Sequence, residues 1–395
     1  MRMAAFHLMP WPYLPDDFPR AEPSAWVTYS NANYDPERGH ELYERYLAEL
    51  VHAADAGFDT ICVNEHHQTA YGLMPAPNLV AMALINRTSK ANIAIIGNAI
   101  PLRDHPLRVA EEVAMLDVMS GGRIFCGIVR GIGAEYHSFG VNPAHSEERF
   151  QEAHDLLVAA WTKPGPFCWE GRHYNVRYVN PWPRPLQQPH PPIWIPTQGS
   201  RSTVNWAATL RYPVIQTAAP ISNVAKTMAQ YWEAARSAGY EPDPRQMGWS
   251  PPLYIGRDDD SAVADFRPHV EFLYNYSRHR PPAAFFPPGY LSPASWRGVL
   301  QARGNLGRER LTIESLMDRG EIVVGGPQTV LRILKEAIDT SGIGSLLPMI
   351  QTGTMTHEQT LANIDRFAEH ILPELAGYLP ARPAAVGPPS VAAGG

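Results

Sequence analysis

The strongest constraint on this chain is an alternation of strand-like and helix-like segments along its length. Eight short apolar runs are followed by stretches with apolar residues at helical spacing. The strand-like runs lie at 3–8, 58–64, 91–99, 122–129, 191–196, 212–217, 250–256 and 343–350. Parallel strands need helical crossovers of this kind, so the pattern predicts an α/β fold built on a parallel sheet.

The helical segments carry recognisable start and stop signals. Gly57 ends the first long helix, Pro106 occupies a first-turn position, and Ser146 is an expected N-cap. The predicted helices lie at 40–56, 77–88, 106–119, 146–161, from about 202, and at 358–376.

Eight parallel strands close most simply into a (β/α)8 TIM barrel, which typically needs about 250 residues. The chain has 395 residues, so the surplus is assigned to insertions at about 11–39, 163–190 and 277–325. A doubly wound open sheet is disfavoured, because PWPYLP rather than a glycine-rich turn follows the first strand. We therefore expect one barrel domain over 1–378. The proline-, alanine- and glycine-rich tail at 379–395 is expected to be disordered.

Composition excludes several classes of protein. Lys and Arg number 33 against 39 Asp and Glu, a net charge of −6, which is a poor match to nucleic acid. No apolar run approaches the roughly 20 residues of a membrane span, and no secretory signal is recognisable, so a cytoplasmic location is expected. The three cysteines form no C-x-x-C pair, and Cys62 and Cys126 are expected to be buried core residues.

Polar residues and glycines follow the predicted strands, where barrel active sites lie. His66, in the sequence Glu65-His66-His67, is a candidate general acid or base. Neighbouring side chains at a strand end point in opposite directions, so the two histidines chelate poorly and no metal site is predicted. The alternative is that both are satisfied by nearby backbone groups.

A second set of residues is suited to an anion. Gly199 and Ser200 lie between a strand and a helix, with Thr203 in the first helical turn, and helix N-termini favour negative charge. Arg130 follows the preceding barrel strand, and Arg149 is a further candidate whose alternative is a surface ion pair. No G-x-S-x-G or Walker A motif occurs, which disfavours serine and nucleotide hydrolysis.

Three runs of sequence resemble the bacterial luciferase-like flavin-dependent monooxygenases. They are GFDTICVNEHH (57–67), GNAIPLRDHPLRVAEEVAMLDVMSGGRIFCGIVRG (97–131) and PPIWIPTQGSRSTVNWAA (191–208). A further match is GGPQTVLRILKEAIDTSGIGSLLP (325–348). The similarity extends in order over nearly all of 1–376. It implies a TIM barrel that takes reduced FMN from a separate flavin reductase and oxygenates a hydrophobic small organic molecule with O2 through a peroxyflavin. Homodimerisation is implied as well.

The resemblance also assigns roles to residues. His66 matches a histidine that assists catalysis, and a non-proline cis peptide is expected at Ala99–Ile100. The segment 277–320 matches a mobile lid. Residues matched to FMN binding are Asn98, Ala99 and Ile100 against the ring, and Arg130, Arg149, Gly199, Ser200 and Thr203 near the phosphate.

Some features leave alternatives open. Luciferases carry a reactive cysteine where this chain has Val129, which disfavours light emission. The other readings are a deazaflavin-dependent oxidoreductase, a catalytically idle subunit on the same barrel, and a metal hydrolase. The expected substrate wall is aromatic and consists of Trp11, Trp26, Tyr29, Tyr71 and Phe139.

Overall fold

The computed structural model describes residues 1–279, 281, 285–291 and 310–380. Twelve strands lie in this part of the chain: β1 (Arg2–Phe6), β2 (Thr60–Val63), β3 (Asn92–Ala99), β4 (Ile124–Val129), β5 (Phe167–Glu170), β6 (Asn175–Val179), β7 (Ile193–Thr197), β8 (Val214–Thr217), β9 (Met247–Ser250), β10 (Leu253–Ile255), β11 (Val323–Gly325) and β12 (Ser345–Leu346). Eight of them form a closed parallel barrel in the order β1-β12-β9-β8-β7-β4-β3-β2. The predicted TIM barrel is confirmed.

The helices pack around this barrel. They are α1 (Phe18–Ala21), α2 (Pro36–Asp55), α3 (Pro77–Ile85), α4 (Leu107–Ser120), α5 (Gly133–Phe139), α6 (Ser146–Thr162), α7 (Arg201–Thr209), α8 (Ile221–Ser237), α9 (Asp259–Phe272), α10 (Ile313–Asp318), α11 (Pro327–Ser341), α12 (His357–His370) and α13 (Leu372–Leu375). None of these described helices is both long and apolar enough to cross a membrane.

Alternation of side chains along the strands separates two layers of core. On β1, Met3 and Ala5 belong to the larger apolar cluster, whereas Ala4 and Phe6 belong to a second cluster. Both faces of a barrel strand are covered, so most strand residues are apolar. Cys62 is fully buried, and burial raises the pKa of the equally buried Cys126 to about 12, which agrees with the expected core role.

The seventh barrel strand was predicted at the wrong place. The expected strand at 250–256 contains Pro251 and Pro252, and proline cannot donate to a strand ladder. The barrel strand ends before them, at Ser250, and β10 after them pairs in parallel with β11 outside the barrel. The strand β11 lies at the end of the predicted insertion at 277–325.

A helix start was also wrong. Ser146 is the first residue of α6 and not its N-cap, because a 3₁₀ turn over Pro143–His145 runs directly into the helix. Asn142 caps that turn by accepting a hydrogen bond from the backbone amide of Ala144 at 3.0 Å.

The predicted insertions differ in structure. Residues 163–190 contain an antiparallel hairpin of β5 and β6. Residues 11–39 contain α1 and a 3₁₀ turn. Half of the expected lid, including residues 304–309 of GNLGRER, lies outside the described residues, as does the tail from 381.

Two glycines allow β3 and β4 to approach closely beside a register shift between Ile95 and Asn98. A Cβ atom on Gly127 would overlap the carbonyl oxygen of Ile95, and one on Gly97 would lie 2.7 Å from the carbonyl carbon of Gly127. Both obstacles are backbone atoms, so a side chain cannot be fitted by rotation of a neighbour.

Replacing Gly127 by alanine should therefore destabilise the barrel. We expect Gly127→Ala to lower the free energy of unfolding by about 1–3 kcal/mol, measured by denaturant titration. Gly377→Ala is the matched control, because nothing lies within 4 Å of its added methyl group. Equal midpoints for the two variants would show that β3 and β4 do not approach as described.

A buried histidine near the end of α9 makes stability dependent on pH. Burial lowers the pKa of His269 to about 4, and its Nδ1 shares a hydrogen bond of 2.8 Å with Thr354 Oγ1. Below the ordinary histidine pKa of about 6.5 the unfolded chain binds a proton that the folded chain does not. The free energy of unfolding therefore decreases as the pH falls.

The free energy of unfolding should fall by up to about 3 kcal/mol from this residue between pH 7 and pH 4. We expect His269→Gln to reduce that slope in denaturant titrations across this range. Replacement of the exposed His40 by glutamine should leave the slope unchanged. If the free energy of unfolding of His269→Gln falls with pH as steeply as that of the unmodified protein, the pH dependence does not come from His269.

Candidate active site

One large cavity opens at the carboxyl ends of the barrel strands, with a volume of about 580 Å³. Since all eight strands are parallel, their carboxyl ends meet at this rim. The strand ends contribute Phe6 and Leu8, Asn64 to His66, Ile96 and Gly97, Ile128 to Gly131, Ile195 to Gly199, and Thr217 and Ala218. Further lining residues include Trp26, Tyr71, Glu135, Ser200, Arg201, Thr203, Arg278, Tyr290 and Met349.

The end of β4 presents a fixed arginine to the cavity. Tyr136 donates a hydrogen bond of 2.5 Å to the carbonyl oxygen of Arg130, and Tyr290 donates one of 2.5 Å to that of Gly131. The Arg130 guanidinium lies 4.8 Å from the centre of the Tyr290 ring. Among the described residues its closest carboxylate is that of Glu147, which is 4.0 Å away and half exposed. The guanidinium is thus oriented but only weakly paired.

Next to Arg130, the turn after β7 opens α7 toward the same cavity. Gly199 has a φ of +87°, which favours glycine at this position. Ser200 precedes the helix but makes no capping hydrogen bond, and its Oγ lies 3.1 Å from Ser202 Oγ. The first amides of a helix lack intrahelical acceptors, and the helix dipole favours an anion there. Thr203 lies in this first turn, so the structure brings this predicted set together with Arg130.

Of the two histidines after β2, one lines the cavity and the other does not, as expected for neighbours that point in opposite directions. His66 lines the cavity, and its Nδ1 lies 3.3 Å from Glu135 Oε1. His67 is not among the lining residues, and its Nε2 lies 2.6 Å from Glu65 Oε1. The other oxygen of Glu65 accepts from Arg103 at 2.7 Å. Within the described residues no group of three or more potential metal ligands is present.

Glu135 is a site residue that the sequence analysis missed. It is 1% exposed, and its Oε2 accepts a hydrogen bond of 2.8 Å from the backbone amide of Ile132. This contact closes the first turn of α5, the usual place for a glutamate three residues into a helix. The signal was hidden because Ile132 stands where such motifs have serine or threonine. With one oxygen held by the backbone, the other is fixed toward His66.

The segment at the end of β3 differs from its prediction. The cis peptide bond lies at Ile96–Gly97, not at Ala99–Ile100 as expected. Ile96 and Gly97 line the cavity, whereas Asn98, Ala99 and Ile100 are not among the lining residues. Ile96 and Gly97 both lie within the register shift between β3 and β4, which falls between Ile95 and Asn98.

The three predicted residues of this segment are buried. The amide of Ala99 donates to Glu65 Oε2 at 3.3 Å, and Ile100 begins a 3₁₀ turn. Both polar atoms of the Asn98 side chain are buried without a hydrogen-bond partner among the described residues. Their role beside a cofactor ring stays a prediction.

Arg149 is not brought to the cavity. Its Nε donates to the carbonyl oxygen of Pro101 at 2.9 Å, its Nη2 donates to that of Arg103 at 3.2 Å, and its guanidinium lies 4.8 Å from the centre of the Tyr174 ring. These contacts attach α6 to the turn after β3. The predicted role at a phosphate is not supported by this placement.

The expected aromatic wall is split among three places. Trp26 and Tyr71 line the main cavity, stacked with ring centres 5.0 Å apart, and each ring centre lies within 5.1 Å of that of His66. Trp11 and Tyr29 line a separate cavity of about 450 Å³ formed with the insertion at 11–39. Phe139 packs edge-on against His67.

The sequence matches a known family over most of its length. The family model for luciferase-like monooxygenases matches residues 25–343. An alkanal monooxygenase alpha chain from the Kryptophanaron alfredi symbiont is 26% identical over 88% of this chain and 96% of its own length. An uncharacterized protein of Sinorhizobium fredii is 36% identical, but the match spans 44% of this chain and about half, 51%, of that protein.

Solved structures show the same fold. The monooxygenase RslO1 from Streptomyces bottropensis has a TM-score of 0.72 at 22% identity, covering 95% of this chain and 99% of that one. The oxygenating constituent of 3,6-diketocamphane monooxygenase from Pseudomonas putida, in complex with FMN, has a TM-score of 0.70 at 18% identity, covering 96% and 100%. An F420-dependent secondary alcohol dehydrogenase has a TM-score of 0.65 at 18% identity, covering 95% and 99%.

Proposed function

This chain belongs to the luciferase-like monooxygenase family, and from that premise we propose that it is a cytoplasmic flavin-dependent monooxygenase. In this proposal a separate reductase supplies reduced FMN, and a homodimer uses it with O2 to oxygenate a hydrophobic small organic molecule. The observation that carries the proposal is a single cavity that joins an anion-binding region, formed by Arg130 and the start of α7, to the pair of His66 and Glu135.

The residues present fit a phosphate-bearing cofactor. Arg130 is oriented by two tyrosines, and the uncapped start of α7 offers amide donors beside it. Arg130, Gly199, Ser200 and Thr203 would hold the phosphate, because charged donors and helix amides suit its oxygens. When bound, reduced FMN supplies the electrons that let one atom of O2 be transferred to a substrate.

The pair of His66 and Glu135 is arranged to handle a proton. The Glu135 carboxylate can only accept a hydrogen bond, so the proton of neutral His66 lies on Nδ1. Its Nε2 is then the nitrogen that accepts or returns a proton during turnover. Glu135 acts as a positioning residue, since it sets the tautomer and the ring orientation.

The rest of the cavity wall limits water near the reacting groups. Trp26, Tyr71, Phe6 and Met349 provide apolar surface beside His66. Exclusion of water protects a reactive oxygen species from unproductive decay and strengthens nearby electrostatic interactions. Trp26 and Tyr71 are the residues most directly placed to do this, since their rings flank the imidazole.

FMN and F420 both occur among proteins of this fold, so the cofactor is tested directly. We expect anaerobic titration with reduced FMN to reach saturation and reduced F420 to bind more weakly. Arg130→Ala should weaken FMN binding about 10-fold to 100-fold, which is the contribution of one charge-assisted hydrogen bond. Riboflavin lacks the phosphate, so its binding should change little.

Arg149→Ala is the matched control for this titration, because its guanidinium is held by backbone carbonyls away from the cavity. Its FMN affinity should stay close to that of the unmodified protein. Tight binding of F420 without binding of FMN would overturn the proposed cofactor. An equal loss of FMN and riboflavin affinity in Arg130→Ala would contradict the phosphate assignment.

Replacing His66 should impair oxygenation more than flavin binding. We expect His66→Ala to lower product formation about 10²-fold to 10⁴-fold, the usual effect of losing a general acid or base. Products from hydrophobic aldehydes and cyclic ketones would be quantified with reduced FMN and O2. His67→Gln, which keeps a donor toward Glu65, should retain activity, and undiminished turnover by His66→Ala would remove His66 from the reaction.

A further inference from the structure

Besides Arg130 and Arg201, a third arginine, Arg278, lines the main cavity on the side opposite the anion-binding region. In the closed barrel, β4 and β7 lie across from β12 and β1. Arg130 and the start of α7 follow β4 and β7, whereas Arg278 borders Trp26, which follows β1. Among the described lining residues, Arg130 and Arg201 therefore lie at one end of the cavity, and Arg278 lies at the other, with Trp26 and Tyr71, the two rings that contact His66.

Contacts from a distant part of the chain hold Arg278 in place. The residues on either side of it are tied to the 11–39 insertion, since Trp26 Nε1 donates to the carbonyl oxygen of Ser277 at 3.2 Å and the amide of Ala25 donates to that of His279 at 2.9 Å. A π-helical turn over Leu273–Ser277 leads into it. Such turns often occur at functional sites.

The charge of Arg278 lacks a carboxylate partner within 4.0 Å among residues 1–279, 281, 285–291 and 310–380. The acid that acts on Arg278 is Glu321, and its carboxylate pairs with Arg319 at 3.6 Å. The Arg278 guanidinium lies 4.7 Å from the centre of the Tyr274 ring.

The Arg278 guanidinium is protonated at neutral pH, as arginine is in proteins generally. Burial alone would lower the pKa of Arg278, but Tyr274, Tyr71 and Glu321 together hold it above its ordinary value. No carboxylate lies within 4.0 Å of Arg278 among the described residues, so the guanidinium can still form a close, charge-assisted pair with an anionic ligand in the cavity.

We propose that Arg278 binds the carboxylate of the substrate, and that the substrate is an apolar, ring-containing carboxylic acid. The planar guanidinium matches a carboxylate with two parallel hydrogen bonds. The stacked Trp26 and Tyr71 rings give the adjoining apolar wall, and both border His66. An acid held by Arg278 thus places its ring beside the proposed proton-transfer group. The assignment of this ligand as substrate rests on the proposed monooxygenase function.

The test is a comparison of 1-naphthoate with 1-naphthamide, two ligands of similar shape that differ in charge. Binding to the full chain would be measured by calorimetry in excess inorganic phosphate, which competes at Arg130 and the start of α7. We expect naphthoate to bind about 10-fold to 100-fold more tightly than the amide. Arg278→Met should abolish that preference, and Arg278→Lys should keep part of it.

Arg201→Met is the matched control, since Arg201 lines the same cavity beside the anion-binding region. This variant should keep the preference for the acid. The proposal is overturned if naphthoate fails to bind, if acid and amide bind equally, or if excess phosphate or Arg201→Met removes the preference. The comparison of naphthoate with naphthamide in the unmodified protein tests the preference for a carboxylate even if a variant fails to fold. It involves no flavin, so its outcome is separate from that of the cofactor titration.

Discussion

Closure of the eight parallel strands is the constraint on which the other features depend. The two-residue strand β12 completes the barrel by pairing with β1 through Ser345 and Arg2 and with β9 through Ser345 and Gly248. Once the barrel is closed, every strand ends at the same rim, and groups far apart in sequence become neighbours. Arg130 after β4 and Ser200 after β7 share one cavity for this reason.

The insertion at 11–39 adds specific side chains and contacts to the barrel rim. Its backbone and Trp26 side chain are hydrogen-bonded to residues 277–279, so it links the end of β1 to the chain that follows α9. The same link sets Trp26 against Tyr71 and His66 and places Arg278 at the cavity. The cavity consequently has a polar end near Arg130 and an aromatic end that contains Arg278, which is a physical basis for selecting substrates.

Predictions from local sequence succeeded where local physics is decisive. Apolar runs located seven of the barrel strands, because a strand covered on both faces is made mostly of apolar residues. The turn at Gly199 and Ser200 was identified because a strand, a glycine and a helix start follow one another in sequence. Local patterns do not show remote partners. The backbone carbonyls of Pro101 and Arg103 hold the Arg149 guanidinium, which no residue next to Arg149 in the sequence indicates, and its role at a phosphate stays a prediction.

The sequence by itself determined the barrel class and the family, since hydrophobic periodicity and extended motifs are written along the chain. It also identified His66 and Arg130 as groups at strand ends. Only the tertiary structure decided which carboxylate meets His66, where the strand register shifts beside Gly97, and that Arg278 enters the cavity. These outcomes depend on distances between segments separated by tens to hundreds of residues, and such distances are set by packing and closure rather than by any local pattern.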